Sequence, residues 1–487
     1  MSSTDDRISE VAATTLRGTI VAAAGCGKTE QVVRATARSE GRRLILTHTH
    51  AGVDALKARL ARHHVAEQRY HVDTIAGWAL RLATAFPRTS GIRLECPSTN
   101  DDWNAVYESA FKLIRTGAIS RVIKASYVGL FVDEYQDCTL TQHELICALA
   151  DVIPTCLFGD PLQAIFGFRG NRPVNWATDV FPQFPKVGEL LTPWRWRNSG
   201  NTAFADWLER VRGYLERGLP VNLVSSPNCV QWCYLPPDAK TPMEVAQRQK
   251  VVIDACRSVN VKDGQSLIVI GDSANLRSRA NLAKNLSKLG FSNIEPVGCV
   301  DLVEHAARIQ SVSGLPRLEA VLTFAGACMT GTEKKELLDA VESHMVGRKK
   351  GAAKFGEQIS CAINVVGSDS WVPVLTLLEA MRLSPHTHIY RREMFFAMSS
   401  ALHTVATAKG MPLAEAIWET QNRLRHIGRR LGKRSIGSTL LVKGLEFDHS
   451  VVVDADRLTR NDLYVALTRS TRSLLVLSRS REIAPRP

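Results

Sequence analysis

One octapeptide constrains this chain more than any other feature: Ala22-Ala23-Ala24-Gly25-Cys26-Gly27-Lys28-Thr29. An apolar run, Gly18–Ala24, leads into it, and a helix-length segment leads out. Strand, Gly-rich turn and helix together let backbone N–H groups curl around phosphate oxygens. Glycine allows the positive φ that such a curl needs. The helix N-terminus adds a dipole that favours an anion. Lys28 is placed to reach the β and γ phosphates, and the Thr29 hydroxyl to hold Mg²⁺. Ala22 stands where the general pattern has Gly, a departure at one position. A turn that merely caps a helix is the plain alternative, and Lys-Thr directly after Gly-x-Gly weighs against it.

A second apolar run, Val128–Val132, ends in Asp133-Glu134-Tyr135-Gln136-Asp137. Adjacent carboxylates at a strand end suit a site that must hold a cation and activate water. Asp133 is the candidate for Mg²⁺ and Glu134 for the general base. A solvated acidic loop is the bland reading, weakened because this strand follows the phosphate loop in the same chain.

Further runs extend the pattern: Arg43–Thr47, Thr155–Phe158, Ser266–Gly271, Val451–Asp454 and Leu474–Leu477. Helix-length segments such as Val53–Arg62 and Asn275–Leu289 separate them, which predicts parallel sheets with crossover helices. Between Leu302 and Arg430 the pattern turns helical, as in Lys334–Val346 and Val372–Leu383, with basic stretches Arg348–Lys354 and Arg423–Arg434. The predicted fold is therefore α/β: two P-loop-type sheet domains with a helical insertion in the second. Its expected boundaries are a first domain 1–190, a second begun by 191–301 and completed by 431–487, and the insertion at 302–430.

At 487 residues the chain exceeds one ordinary domain. Hydrophobic residues at 45% and charged ones at 22% fit a globular protein and exclude wholesale disorder. A net charge of +13 favours a polyanionic partner, nucleic acid before membrane. The 11 cysteines include no Cys-x-x-Cys pair and no zinc-site spacing, so free thiols in a reducing compartment are expected. The polar start MSSTDDRISE has no apolar core of a signal peptide, and no run is long enough to span a bilayer. A cytoplasmic protein without a membrane role is expected.

Seven blocks, in order, resemble those of UvrD/Rep-type superfamily 1 DNA helicases. They are the phosphate loop Ala22–Thr29; Leu46-Thr47-His48-Thr49-His50-Ala51; Asp133–Asp137, like DExQD; Gly159–Gly170 (GDPLQAIFGFRG); Leu190–Arg197 (LLTPWRWR); Lys443–Asp448 (KGLEFD); and Leu463–Arg469 (LYVALTR). The resemblance implies two RecA-like domains with ATP and Mg²⁺ between them. By the same resemblance Gln163 senses the γ-phosphate, Arg195 and Arg469 reach in from the second domain as arginine fingers, and Glu446 contacts the ribose. His48, Thr49, Phe168 and Arg169 would grip single-stranded DNA, with His48 and Phe168 stacking on bases. Trp194 and Trp196 are expected in packing rather than on bases. Movement would run 3′→5′.

Three departures matter. The family's upstream adenine-reading Gln is missing, since the first Gln in the chain is Gln31. Leu440 stands where the family often has His. The first inserted domain has little room and the second is reduced, so poor unwinding by the isolated protein is expected. Compact UvrD-like proteins also serve as regulatory subunits beside a nuclease in anti-phage systems such as Gabija, and a nuclease or other partner protein is the alternative implied.

Overall fold

The computed structural model describes residues 3–93, 97, 99–166, 172–237, 241–271, 276–295, 299–348, 350–408, 410–427 and 431–486. Contacts divide the chain into two compact units. The first comprises Met1–Val221, Leu458–Arg472 and Ala484–Pro487, and the second Asn222–Arg457 and Ser473–Ile483. The sequence boundary at 190 thus falls inside the first unit, which also takes in 458–472 from far along the chain.

The first unit is built on six parallel strands: β1 (Arg17–Ala22), β2 (Arg43–Thr47), β3 (Tyr70–Thr74), β4 (Gly129–Val132), β5 (Thr155–Gly159) and β6 (Lys186–Leu190). Their spatial order is β3-β2-β4-β5-β1-β6. Every residue of β2, β4 and β5 is buried, as expected when helices cover both faces of a parallel sheet. The side chains alternate between two cores with period two. Val21, Leu44, Leu46, Leu130, Val132 and Leu157 face one core, shared with helices Ile75–Ala85, Asn100–Arg115 and Leu140–Ala150. Ile20, Ala22, Ile45, Phe131, Cys156 and Phe158 face the other, shared with helices Lys28–Arg38 and His50–Arg62. Helix starts are set locally, as where Thr139 and Gln142 form a reciprocal capping box for Leu140–Ala150.

The second unit holds another six-stranded sheet: β7 (Val230–Tyr234), β8 (Leu267–Ile270), β9 (Phe291–Asn293), β10 (Arg434–Gly437), β11 (Phe447–Val452) and β12 (Ser470–Ser478), in the order β9-β10-β8-β11-β12-β7. The pairs β9–β10, β10–β8, β8–β11 and β12–β7 are parallel. The fold is thus α/β with two six-stranded sheets, as the strand pattern predicts. Between β9 and β10 the described chain is mainly helical, from Val300–Gln310 to Leu413–Ile427, and has its own core around Leu318, Phe324, Leu377 and Phe395. A buried ion pair, Glu295 with Arg391 at 2.7 Å, ties this segment to the end of β9. Among the described residues no helix is long and apolar enough to cross a membrane.

Candidate functional site

β5 lies between β1 and β4, so three loops leave neighbouring strand ends: the phosphate loop, the acidic loop and Asp160–Gln163. The phosphate loop turns through Gly25 at φ 71° and Gly27 at φ 81°. These left-handed values favour glycine, and they aim the loop into helix Lys28–Arg38. The short helix Trp194–Asn198 packs on this curl: a Cβ on Gly25 would lie 2.7 Å from the Trp196 ring, and Arg195 N–H donates to Gly25 O at 3.2 Å.

Across the loop Lys28 Nζ meets Glu134 Oε2 at 2.7 Å, and Thr29 Oγ1 donates to Asp133 Oδ2 at 3.0 Å. Glu134 itself sits in left-handed backbone, φ 56°, which turns its carboxylate toward Lys28. Asp133 and Lys28 are nearly buried. Burial, then the Glu134 charge, pushes the Asp133 carboxyl up to about 6 against the opposing pull of Lys28 and Thr29. Burial works against the Lys28 ammonium, but the carboxylates of Glu134, Asp133 and Asp160 outweigh it and hold its pKa above the usual lysine value.

Because folding raises the pKa of Asp133, the protonated form is the one the fold favours. That contribution is complete below the ordinary carboxylate pKa and is lost as pH rises through about 6. If the ionised Asp133 carboxylate holds Mg²⁺, the ion should raise the melting temperature at pH 8 but progressively less as pH falls through about 6. Calorimetry with and without Mg²⁺ across this range checks it, and a pH-independent Mg²⁺ effect would remove Asp133 from the cation site.

Behind these groups lies a buried polar cluster that the sequence motifs alone did not bring together. Gln163 Nε2 donates to Asp160 Oδ2 at 2.9 Å, and Arg212 Nη1 to Asp160 Oδ1 at 2.8 Å. Asp160 N–H donates to Gln136 Oε1 at 3.0 Å, and the Gln136 amide reaches Glu134. Asp160 and Gln136 belong to quoted blocks but had no assigned role, and Arg212 carried no sequence signal beyond its polarity.

A model of the UvrD/REP helicase N-terminal domain matches residues 97–179, the stretch that carries β4, β5 and the acidic loop. This stretch is UvrD/Rep-like. Over 80 residues the chain is 34% identical to Gabija protein GajB of Bacillus cereus (strain VD045), a match covering 16% of this chain and 16% of that protein. Among solved structures it is similar, at 10% identity, to Pif1 helicase from Candida albicans (TM-score 0.40, covering 99% of this chain and 95% of that one). It is also similar, at 10% identity, to an arterivirus nonstructural protein 10 (helicase) in complex with DNA (TM-score 0.35, covering 97% of this chain and 63% of that one).

The remaining candidate residues are spread over both units. Arg195 is half-buried and its guanidinium donates to Thr468 O at 2.8 Å. Arg469 is 1% exposed, with Nε on Val465 O at 2.8 Å and Nη2 on Thr468 Oγ1 at 2.9 Å. Both group with the first unit rather than the second, where the resemblance put them: Arg195 lies within 1–221, and Arg469 in the segment 458–472 that packs there. Trp196 is buried and donates to Ser470 O at 2.8 Å, a packing role. Glu446 belongs to the second unit, just ahead of β11. His48 is half-buried, 3.6 Å from Cys138 Sγ. Thr49 caps helix His50–Arg62 by accepting from Gly52 N–H at 3.0 Å, so its hydroxyl already has a structural task. Phe168 and Arg169 lie outside the described residues. A cavity of about 740 Å³ in the first unit is lined by Ile165, Phe166, Pro173, Arg460, Asn461 and Arg486. No group of His, Cys, Asp and Glu with metal-site geometry occurs among the described residues, and the ten described cysteines form no disulfide with one another.

Proposed function

We propose that the protein is an ATP-hydrolysing motor of the UvrD type that moves along single-stranded DNA in the 3′→5′ direction. The observation that carries this is the convergence of Lys28, Thr29, Asp133 and Glu134 within hydrogen-bonding distance at neighbouring strand ends, although they lie more than a hundred residues apart in sequence. In this reading Lys28 and the N–H groups of Ala22–Gly27 hold the phosphates, and Glu134 accepts the proton of the attacking water. Thr29 and Asp133 fit a Mg²⁺ ion, a hydroxyl and a carboxylate 3.0 Å apart at the loop's end, and the ion would neutralise phosphate charge. Arg195, Gln163 and Arg469 stabilise charge in the transition state, Glu446 meets the ribose, and His48, Thr49, Phe168 and Arg169 contact the strand.

The deciding experiment is phosphate release from ATP with no nucleic acid, then with single-stranded DNA, duplex DNA and RNA. Single-stranded DNA should stimulate most. Its affinity should fall steeply between about 50 and 200 mM salt, because Lys and Arg contacts release counterions. Release that no nucleic acid stimulates, or a salt-independent affinity, overturns the motor reading.

The likeness to GajB favours a second reading, a nucleotide- or DNA-gated regulatory subunit of an anti-phage nuclease complex. The two part on movement along a single strand. A gating subunit hydrolyses ATP without translocating, and a nuclease partner responds to its nucleotide state. Displacement of a protein block from the end of single-stranded DNA by the pure protein favours the motor, even where it unwinds a duplex poorly.

A further inference from the structure

Arg212 belongs to none of the sequence blocks, yet it stands at the centre of a hydrogen-bonded chain through the candidate site. It projects from helix Thr202–Glu216 and is 7% exposed. Its Nη1 donates to Asp160 Oδ1 at 2.8 Å and to Tyr464 Oη at 3.0 Å. One guanidinium nitrogen carries two hydrogens, one for each acceptor. Tyr464 Oη also accepts the Ala24 N–H of the phosphate loop at 3.2 Å. On the other side Asp160 holds the Gln163 amide at 2.9 Å and, through its own N–H, Gln136, which touches Glu134. The path therefore runs from the phosphate loop to both Gln163 and the carboxylate of Glu134.

A buried Arg–Asp pair is a poor stabiliser, since desolvating two charges costs about as much as their attraction returns, and packed apolar residues often do as well. Asp160 is fully buried and Tyr464 is 2% exposed. The pair's geometry is specific where its contribution to stability is not. We propose that Arg212 is a positioning residue of the hydrolytic site: by fixing Asp160 against Tyr464, it keeps Gln163 and the Gln136–Glu134 contact in register with the phosphate loop. This rests on the reading of that loop as a nucleotide site.

The test is steady-state ATP hydrolysis by the full chain carrying Arg212→Lys, Tyr464→Phe, Gln163→Ala and Arg212→Lys/Gln163→Ala, with melting temperatures taken in parallel. Lysine keeps the charge but loses the planar fork. Arg212→Lys should lose about tenfold in kcat with KM for ATP within about twofold, and should add less than about twofold to the loss from Gln163→Ala. Tyr464→Phe, which removes only a hydroxyl, should show the same split in smaller degree. Arg217→Lys, at the exposed cap just past the same helix, should leave turnover unchanged. Losses that multiply in the double variant, or a lowered melting temperature with unchanged kcat, overturn the proposal. If the wild type releases no phosphate, the hydrolytic reading falls and takes this inference with it. If the wild type hydrolyses ATP and Arg212→Lys matches it, this inference alone falls.

Discussion

Glu134→Gln should cut phosphate release by about 10³-fold while leaving ATP affinity within about threefold, since a positioned general base contributes on the order of 10²–10⁴ in rate. The substitution is nearly isosteric and keeps an acceptor beside Lys28, so the loop should stay closed around it. Lys28→Ala should lose turnover comparably but lose affinity as well, because the ammonium 2.7 Å from Glu134 is the charge that a phosphate would meet. Binding by a fluorescent nucleotide and turnover by phosphate release separate the two. Near-normal turnover in Glu134→Gln would hand the base role to another group, and unchanged affinity in Lys28→Ala would take the loop out of phosphate binding.

Arg469→Ala should lower kcat by about 10³-fold, at the low end for an arginine finger, with ATP affinity altered only a few-fold. The geometry makes this a demanding test. Arg469 is nearly inaccessible and spends two nitrogens on Val465 O and Thr468 Oγ1. A finger would have to leave those acceptors as the reaction proceeds. The competing outcome is a fall in melting temperature with kcat per folded molecule unchanged, which would make Arg469 a cap for its own helix end. Affinity falling in step with turnover would make it a ground-state ligand instead.

Much of the first sheet was legible because β1, β2, β4 and β5 are short apolar runs buried on both faces. The strands that escaped notice lack that signature. β3 reads YHVDT and β6 reads KVGEL, at the two edges of the sheet where polar residues are tolerated. β10 is only four residues, RSIG, adjoining a basic run that drew the eye to charge. The helices Lys334–Met345 and Val372–Leu383 were plain from their apolar periodicity. In the site, Lys28, Thr29, Asp133 and Glu134 were legible because each has a fixed offset from a strand end. Arg212 was not, since a single Arg on a helix reads as solvated surface until the tertiary fold puts Asp160 beside it. The same holds for the membership of 458–472, which no local pattern reveals.

That membership bears on how the protein is made. The ribosome delivers β1 to β6 first, then all of residues 222–457, and only afterwards Tyr464, whose hydroxyl accepts the Ala24 N–H. Until then a nascent first unit must hold its sheet without the strap that completes its phosphate loop. Contacts of such long sequence separation form slowly and leave apolar surface uncovered meanwhile. A chain stalled before residue 458 would therefore be a folding client rather than a self-standing domain, and its phosphate loop would be finished only once the intervening unit had emerged.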